Sequence, residues 1–178
     1  MSAGAIEALF GAGLAALGPE RRAEAWDLPD AEVRAGEMSM RLGLVGRKSA
    51  CFQALVLLWH DHLDVAHGLV QDLSGADAAF VHGIVHRREP DFSNAGYWFH
   101  RVGSHAALDP LAEQAAPVLA AHAALPHRLI RDGVWDGLAF IDAVAAVSRQ
   151  PVTAPEPALL RQLQRLESIV LARHLAGV

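Results

Sequence analysis

The stretch DHLDVAHGLVQDL (residues 61–73) lies over PDFSNAGYWFHRV (residues 90–102) at a constant offset of 29 residues. Leu63 then matches Phe92, Ala66 matches Ala95, Leu69 matches Trp98, Val70 matches Phe99 and Leu73 matches Val102. In both stretches the apolar residues fall at i, i+3, i+6, i+7 and i+10, one stripe of an α-helix. An alanine sits on that stripe where a neighbouring helix must come close. Each stretch also follows an apolar run of helical character, Ser49 to Trp59 in one case and Ala78 to His86 in the other. The pattern predicts a helical hairpin that occurs twice, over about residues 49–105.

The rest of the chain agrees with an all-α reading. Ala and Leu together number 58 of the 178 residues, against 21 for Val, Ile and Thr combined, a balance that favours helix over strand. Ala3 to Leu17 has helical spacing and stops at Gly18-Pro19. Residues 21–47, with Leu28-Pro29-Asp30 and glycines at 36, 43 and 46, read as a loop with short helical turns, one of them over Met38 to Leu44. Further helices are expected over Asp109 to Leu125, kinked at Pro117, and over Gly133 to Ser148. Gln150 to Pro157 has three prolines in eight residues and reads as a linker to an amphipathic C-terminal helix, Ala158 to Leu175. The expectation is one all-α domain, residues 1–178, of antiparallel helical hairpins in a compact bundle.

Composition narrows the function classes. Fifteen Lys and Arg stand against 20 Asp and Glu, a net charge of −5, which speaks against nucleic acid as a partner. The longest run free of charged residues, Gln114 to His127, has 14 residues and is too short to span a bilayer. Glu7 and Glu20 precede the first basic residue, Arg21, the reverse of a secretory leader, and the single cysteine allows no internal disulfide. A soluble, cytoplasmic protein is expected, of undetermined oligomeric state. Cys51, inside an apolar run, reads as a packing residue.

Ten histidines are many for this length. His82 and His86 stand at i, i+4 on one helical face, the spacing at which two imidazoles reach one metal ion. Glu89 extends the stripe, and His67 or Asp64 on the neighbouring helix completes a candidate ligand set for a divalent metal such as zinc. Gly83 stands where a zinc protease carries its general-base Glu, so HxxxH here lacks that residue. The competing reading makes these histidines internal hydrogen-bonding groups. Arg87, Arg88 and Arg101 form the one dense basic cluster near aromatic residues. Either they bind a carboxylate or phosphate, or they pair internally with Glu89, Asp61, Asp64 or Asp91. Asp91 and Ser93 are candidate N-caps, and Trp59, Trp98 and Trp135 lie on apolar stripes.

Two resemblances bear on these residues. Gly83, Asp91-Phe92, Ala95 and Phe99 look like the tetratricopeptide pattern, although the period is 29 instead of about 34 and the terminal Pro is missing. Leu58 to His67 and His82 to Gly103 resemble the strings LWxDxLDxAH and HxxxHRRExDFxNAxYWFxRVG of an uncharacterised family of bacterial and fungal helical proteins. At two of the open positions the resemblance leads one to expect Gly and Arg, where this chain has Pro90 and His100. The resemblance makes the middle third the functional face. Two functions are therefore expected to compete. One is a non-enzymatic helical binding or scaffold protein whose groove, lined by Trp59, His60, Asp64, Arg87, Arg88, Trp98 and Arg101, takes a peptide or small anionic ligand. The other is a metal-dependent enzyme, such as a hydrolase, built on His82, His86 and either His67 or Asp64.

Overall fold

The computed structural model describes residues 3–11, 13–121, 129–148, 150 and 154–178. Among these the chain is all-α apart from one two-stranded ribbon. The elements in order are α1 (Ala3–Leu9), α2 (Leu28–Arg41), α3 (Gly46–Trp59), α4 (Leu63–Val70), α5 (Ala76–Arg88), α6 (Phe92–Val102), α7 (Leu108–Ala120), β1 (Ile130–Arg131), β2 (Val134–Trp135), α8 (Gly137–Val147) and α9 (Pro155–Ala176).

The two aligned stretches form the second arms of two helical hairpins, α3–α4 and α5–α6, and α5 packs against both α3 and α4. Ala66 and Ala95 are fully buried, as close-approach positions on each stripe must be. The closest approach comes from glycine: a Cβ on Gly83 would stand 2.6 Å from the Phe99 ring, and one on Gly137 would meet the ring's other edge. Phe99 is thus held between α5 and the first residue of α8, and these two glycines set how near α6 and α8 come to α5.

Several boundaries differ from the sequence reading. Residues 28–41 form a full helix and not a loop, because Asp27 caps it through a bond from the Asp30 N–H at 2.9 Å and Pro29 suits the first turn. The first helix ends at Leu9, well before Gly18-Pro19. Asp132 and Gly133, both at positive φ (53° and 84°), turn β1 antiparallel onto β2 where a continuous helix was expected nearby. Pro155 and Pro157 belong to the first turn of α9, so only the earlier part of the 150–157 segment can be a linker, and residues 151–153 lie outside the described residues. Among the described residues no helix is long and apolar enough to cross a membrane.

Two helix ends show what glycine contributes and what its replacement costs. After α2, Gly43 at φ 67° donates to Met40 O and Leu44 donates to Ser39 O, the paired bonds of a Schellman cap. After α5 the Asp91 N–H makes the equivalent longer bond to His86 O at 3.0 Å, but the residue at the left-handed position is Pro90, at φ 29°. Proline has no N–H for the second bond, and its ring prefers φ near about −65°.

These contacts generate two expectations for chemical denaturation. Gly83→Ala should cost about 1–3 kcal/mol by overpacking against Phe99. Gly36→Ala, on open helix surface, should be neutral or stabilise by up to about 1 kcal/mol. Equal stabilities for the two variants would contradict the Phe99 packing. Pro90→Gly should raise stability by about 1 kcal/mol or more, relieving a left-handed strain and restoring the missing cap bond; a loss would show that the turn tolerates proline.

Candidate functional site

The sequence-selected residues separate into an interior set and a surface set. Trp59, His60, Arg87 and Arg88 are at most 2% exposed, whereas Asp64 and Arg101 are exposed and Trp98 is half-buried. The four buried residues therefore do not line a groove with the others, which corrects the expected ligand surface. The reason is internal pairing. The Asp61 carboxylate, itself fully buried at a positive-φ turn (68°), accepts from Arg22 Nε at 2.9 Å, from the Arg22 backbone N–H at 3.0 Å and from Arg88 at 2.8 Å. Arg88 also donates to the carbonyls of Leu58 and Gly18. Arg87 points the other way, forms a bidentate pair with Glu167 of α9 and stacks over Phe140 at 4.4 Å. His60 accepts from the Trp26 N–H at Nδ1, donates from Nε2 to Leu9 O and lies flat against the Trp26 ring at 3.9 Å. Burial pushes His60 down to about 4, so it is a neutral structural group. Cys51 is likewise buried, its thiol pushed up to about 12 by burial and next by Asp77.

The three metal candidates do converge. His67 comes from α4, and His82 and His86 from successive turns of α5; one ligand atom from each lies within 4.8 Å of the others. Ring centroids are 4.7 Å apart for His67–His82, 4.9 Å for His67–His86 and 4.7 Å for His82–His86. Glu89, the residue that caps α5, reaches His86 Nδ1 at 2.8 Å and His67 Nδ1 at 3.4 Å. A carboxylate only accepts, so the 2.8 Å contact favours the Nδ1–H tautomer of His86, whose Nε2 faces the Asn94 amide; at 3.4 Å no hydrogen bond joins Glu89 to His67. His67 Nε2 stands 2.9 Å from His82 Nε2. One of the two Nε2 atoms donates to the other: if it is His82, its Nδ1 is a bare acceptor, and if it is His67, His82 carries its proton on Nδ1. Either way the buried Nδ1 has no partner among the described residues.

The surroundings fix the cluster. The Trp98 ring stacks on His82 at 4.0 Å, and Arg101 lies over the Trp98 ring at 5.5 Å. Asn94, on α6, places its amide 3.1 Å from His86 Nε2, and Asp91 caps that helix through the Asn94 N–H. Burial, then the neighbouring imidazoles of His86 and His67, push His82 down to about 4; burial also lowers His86, against the pull of Glu89. Asp64 is not part of the converging set.

A second cluster was not foreseen. Asp77 in the first turn of α5 accepts at Oδ1 from His105 Nε2 at 2.9 Å and from His174 Nε2 at 3.0 Å. The three residues are distant in sequence, and only the folded chain brings them together. Here the tautomers differ from the first cluster: the Ala107 N–H donates to His105 Nδ1, so the ring's proton is on Nε2 and points at Asp77. The hydrogen bond from His105 leads in holding the Asp77 carboxyl below the usual range, with burial opposing and His174 assisting. This is a hydrogen-bonded trio with no nitrogen lone pair aimed at its centre.

No protein-family model, curated protein or solved structure matches the chain. What fold and site together define is a compact helical-hairpin protein with a three-histidine, one-glutamate cluster at the junction of α4 and α5.

The Asp61 clamp yields a pH expectation. Although burial opposes ionisation, the bonds from Arg22 and Arg88 hold Asp61 below its usual 3.8. Its contribution is therefore complete above about pH 4 and is lost as pH falls through the lower folded value. Asp61→Asn should cost about 3–5 kcal/mol at neutral pH, by leaving Arg88 buried without its counter-charge, and should flatten the stability loss in acid. An unchanged acid limb would mean that other carboxylates govern it.

Proposed function

We propose that the protein is a helical metal-binding protein in which Nε2 of His67, His82 and His86 holds one divalent cation such as zinc. The observation that carries this reading is the 2.9 Å approach of the His67 and His82 Nε2 atoms, with Glu89 standing 2.8 Å from His86 Nδ1 and 3.4 Å from His67 Nδ1. A cation there would replace the proton that the two Nε2 atoms share, with His67 and His82 each turning a lone pair toward it. Glu89 plays the part that a carboxylate plays behind metal-bound histidines, fixing ring orientation and raising ligand basicity. Burial, which pushes His82 down to about 4, keeps that ring in the neutral, ligating form in mild acid, and burial lowers His86 as well. In the absence of metal the Asn94 amide competes for the His86 lone pair.

The paired hairpins support the wider class of helical binding or scaffold protein within which this metal site falls. Three nitrogen donors also leave the fourth position of a tetrahedral zinc ion to water, the ligand count of catalytic sites. The His67 and Glu89 side chains are 30% and 27% exposed, so solvent reaches one side of the cluster. Those two facts favour, as a second reading, a metal-dependent enzyme such as a hydrolase, with the bound water as nucleophile.

Protein prepared without chelator is expected to hold about one equivalent of metal, or to take up one equivalent of Zn²⁺ with a rise in melting temperature. Replacing both His82 and His86 with Asn should abolish uptake and leave helix content intact, since the apolar core and the Arg87 and Arg88 ion pairs do not depend on these rings. Asn94→Ala should leave affinity unchanged or tighten it. Protein without stoichiometric metal whose stability ignores Zn²⁺, Ni²⁺ and Mn²⁺ would make the cluster structural.

A further inference from the structure

A cavity of about 480 Å³ lies between α7 and the end of α9, away from the His67–His82–His86 cluster. Ala107, Pro110 and Val170 supply its apolar wall; Gln114, Arg173 and His174 supply its polar edge. His174 commits Nε2 to Asp77 at 3.0 Å, and no hydrogen bond engages its Nδ1 among the described residues. A carboxylate behind one imidazole nitrogen makes the other nitrogen the base and stabilises the imidazolium when it forms. The last turn of α9, which carries His174, favours positive charge there as well. Arg173 lines the same cavity with its guanidinium paired to Glu7 of α1, and so adds positive charge at the polar edge. His105 is the remaining titratable neighbour, and its bond from the Ala107 N–H keeps its proton on Nε2, facing Asp77.

We propose that this cavity is a second ligand site, for a small carboxylic acid with an apolar body, and that His174 Nδ1 is its proton acceptor. The apolar part contacts the Ala107, Pro110 and Val170 wall. The carboxylate faces His174 and Arg173, and one proton from solvent is taken up on His174 Nδ1, giving an imidazolium between the ligand and Asp77. The proposal stands apart from the metal reading and shares no residue with it.

The test uses the full chain with hexanoate and its neutral isostere hexanamide. Calorimetry in buffers of different ionisation enthalpy should show hexanoate binding with proton uptake and no comparable binding of hexanamide. In wild-type protein the ¹⁵N shifts of the His174 ring should move from the Nε2–H tautomer to imidazolium on saturation. His174→Gln should weaken hexanoate by about tenfold or more, the loss of one charge-assisted hydrogen bond. Equal binding of the amide, unchanged His174 shifts or undiminished affinity in His174→Gln would each overturn the proposal. The wild-type titration decides the matter even if the variant folds poorly.

Discussion

A single buried carboxylate organises the middle of this molecule. Asp61 sits in the turn between α3 and α4, in a left-handed conformation that Asp tolerates better than most residues, and is reached by one guanidinium from the N-terminal segment and another from α5. Removing such an ion from water is costly, and the cost is offset only when every lone pair finds a donor. Here both oxygens do. The consequence is positional: Arg88 is bound at Asp61 on one side of α5, and Arg87, its neighbour in sequence, is bound at Glu167 on another. The last turn of α5 is therefore anchored to the α3–α4 turn and to α9 at once, and His82, His86 and Glu89 inherit that rigidity.

The two histidine clusters show how the partner of one ring nitrogen decides what the other can do. At His86 an acceptor, Glu89, lies 2.8 Å behind Nδ1, so Nε2 is the lone pair and faces the Asn94 amide. At His105 a donor, the Ala107 N–H, lies behind Nδ1, so Nε2 points inward as a proton, and a carboxylate is there to receive it. Both groups hold three potential ligands at metal-binding separations. In the second, two imidazole protons are already committed to the carboxylate.

Local periodicity made the hairpins legible, because apolar stripes and the small residues Ala66, Gly83 and Ala95 are properties of contiguous sequence. His82 and His86 were legible for the same reason, and so was the pairing of Arg88 with Asp61, one of several carboxylates within the same region. What periodicity cannot register is a partner far along the chain. Glu167 is 80 positions from Arg87, and His174 is 97 from Asp77; neither bears a local mark of its role. Burial was misjudged in one consistent way: Trp59, His60, Arg87 and Arg88 look like a groove because aromatic and basic side chains commonly bind ligands, yet each has its partners inside. Two missed elements did carry signals, the Asp27 cap with Pro29 before α2 and the Asp132-Gly133 turn of the ribbon.

The end of α5 joins these observations. Many helices close with a residue free to adopt positive φ and to donate three residues back, as Gly43 does after α2. Pro90 has no N–H to donate, so of the paired cap bonds only Asp91 N–H to His86 O remains, and the second does not hold this terminus. It is held instead by the buried ion pairs of Arg87 and Arg88, one turn of chain or less before it, and by Asp91, which accepts from Asn94 to start α6 immediately after. Glu89 lies between those anchors and Pro90, and its carboxylate is the group that orients the His86 imidazole. The candidate site is thus set beside the least favourable backbone of the middle third, and the strain is sustained because the surrounding charges over-determine where the turn must go.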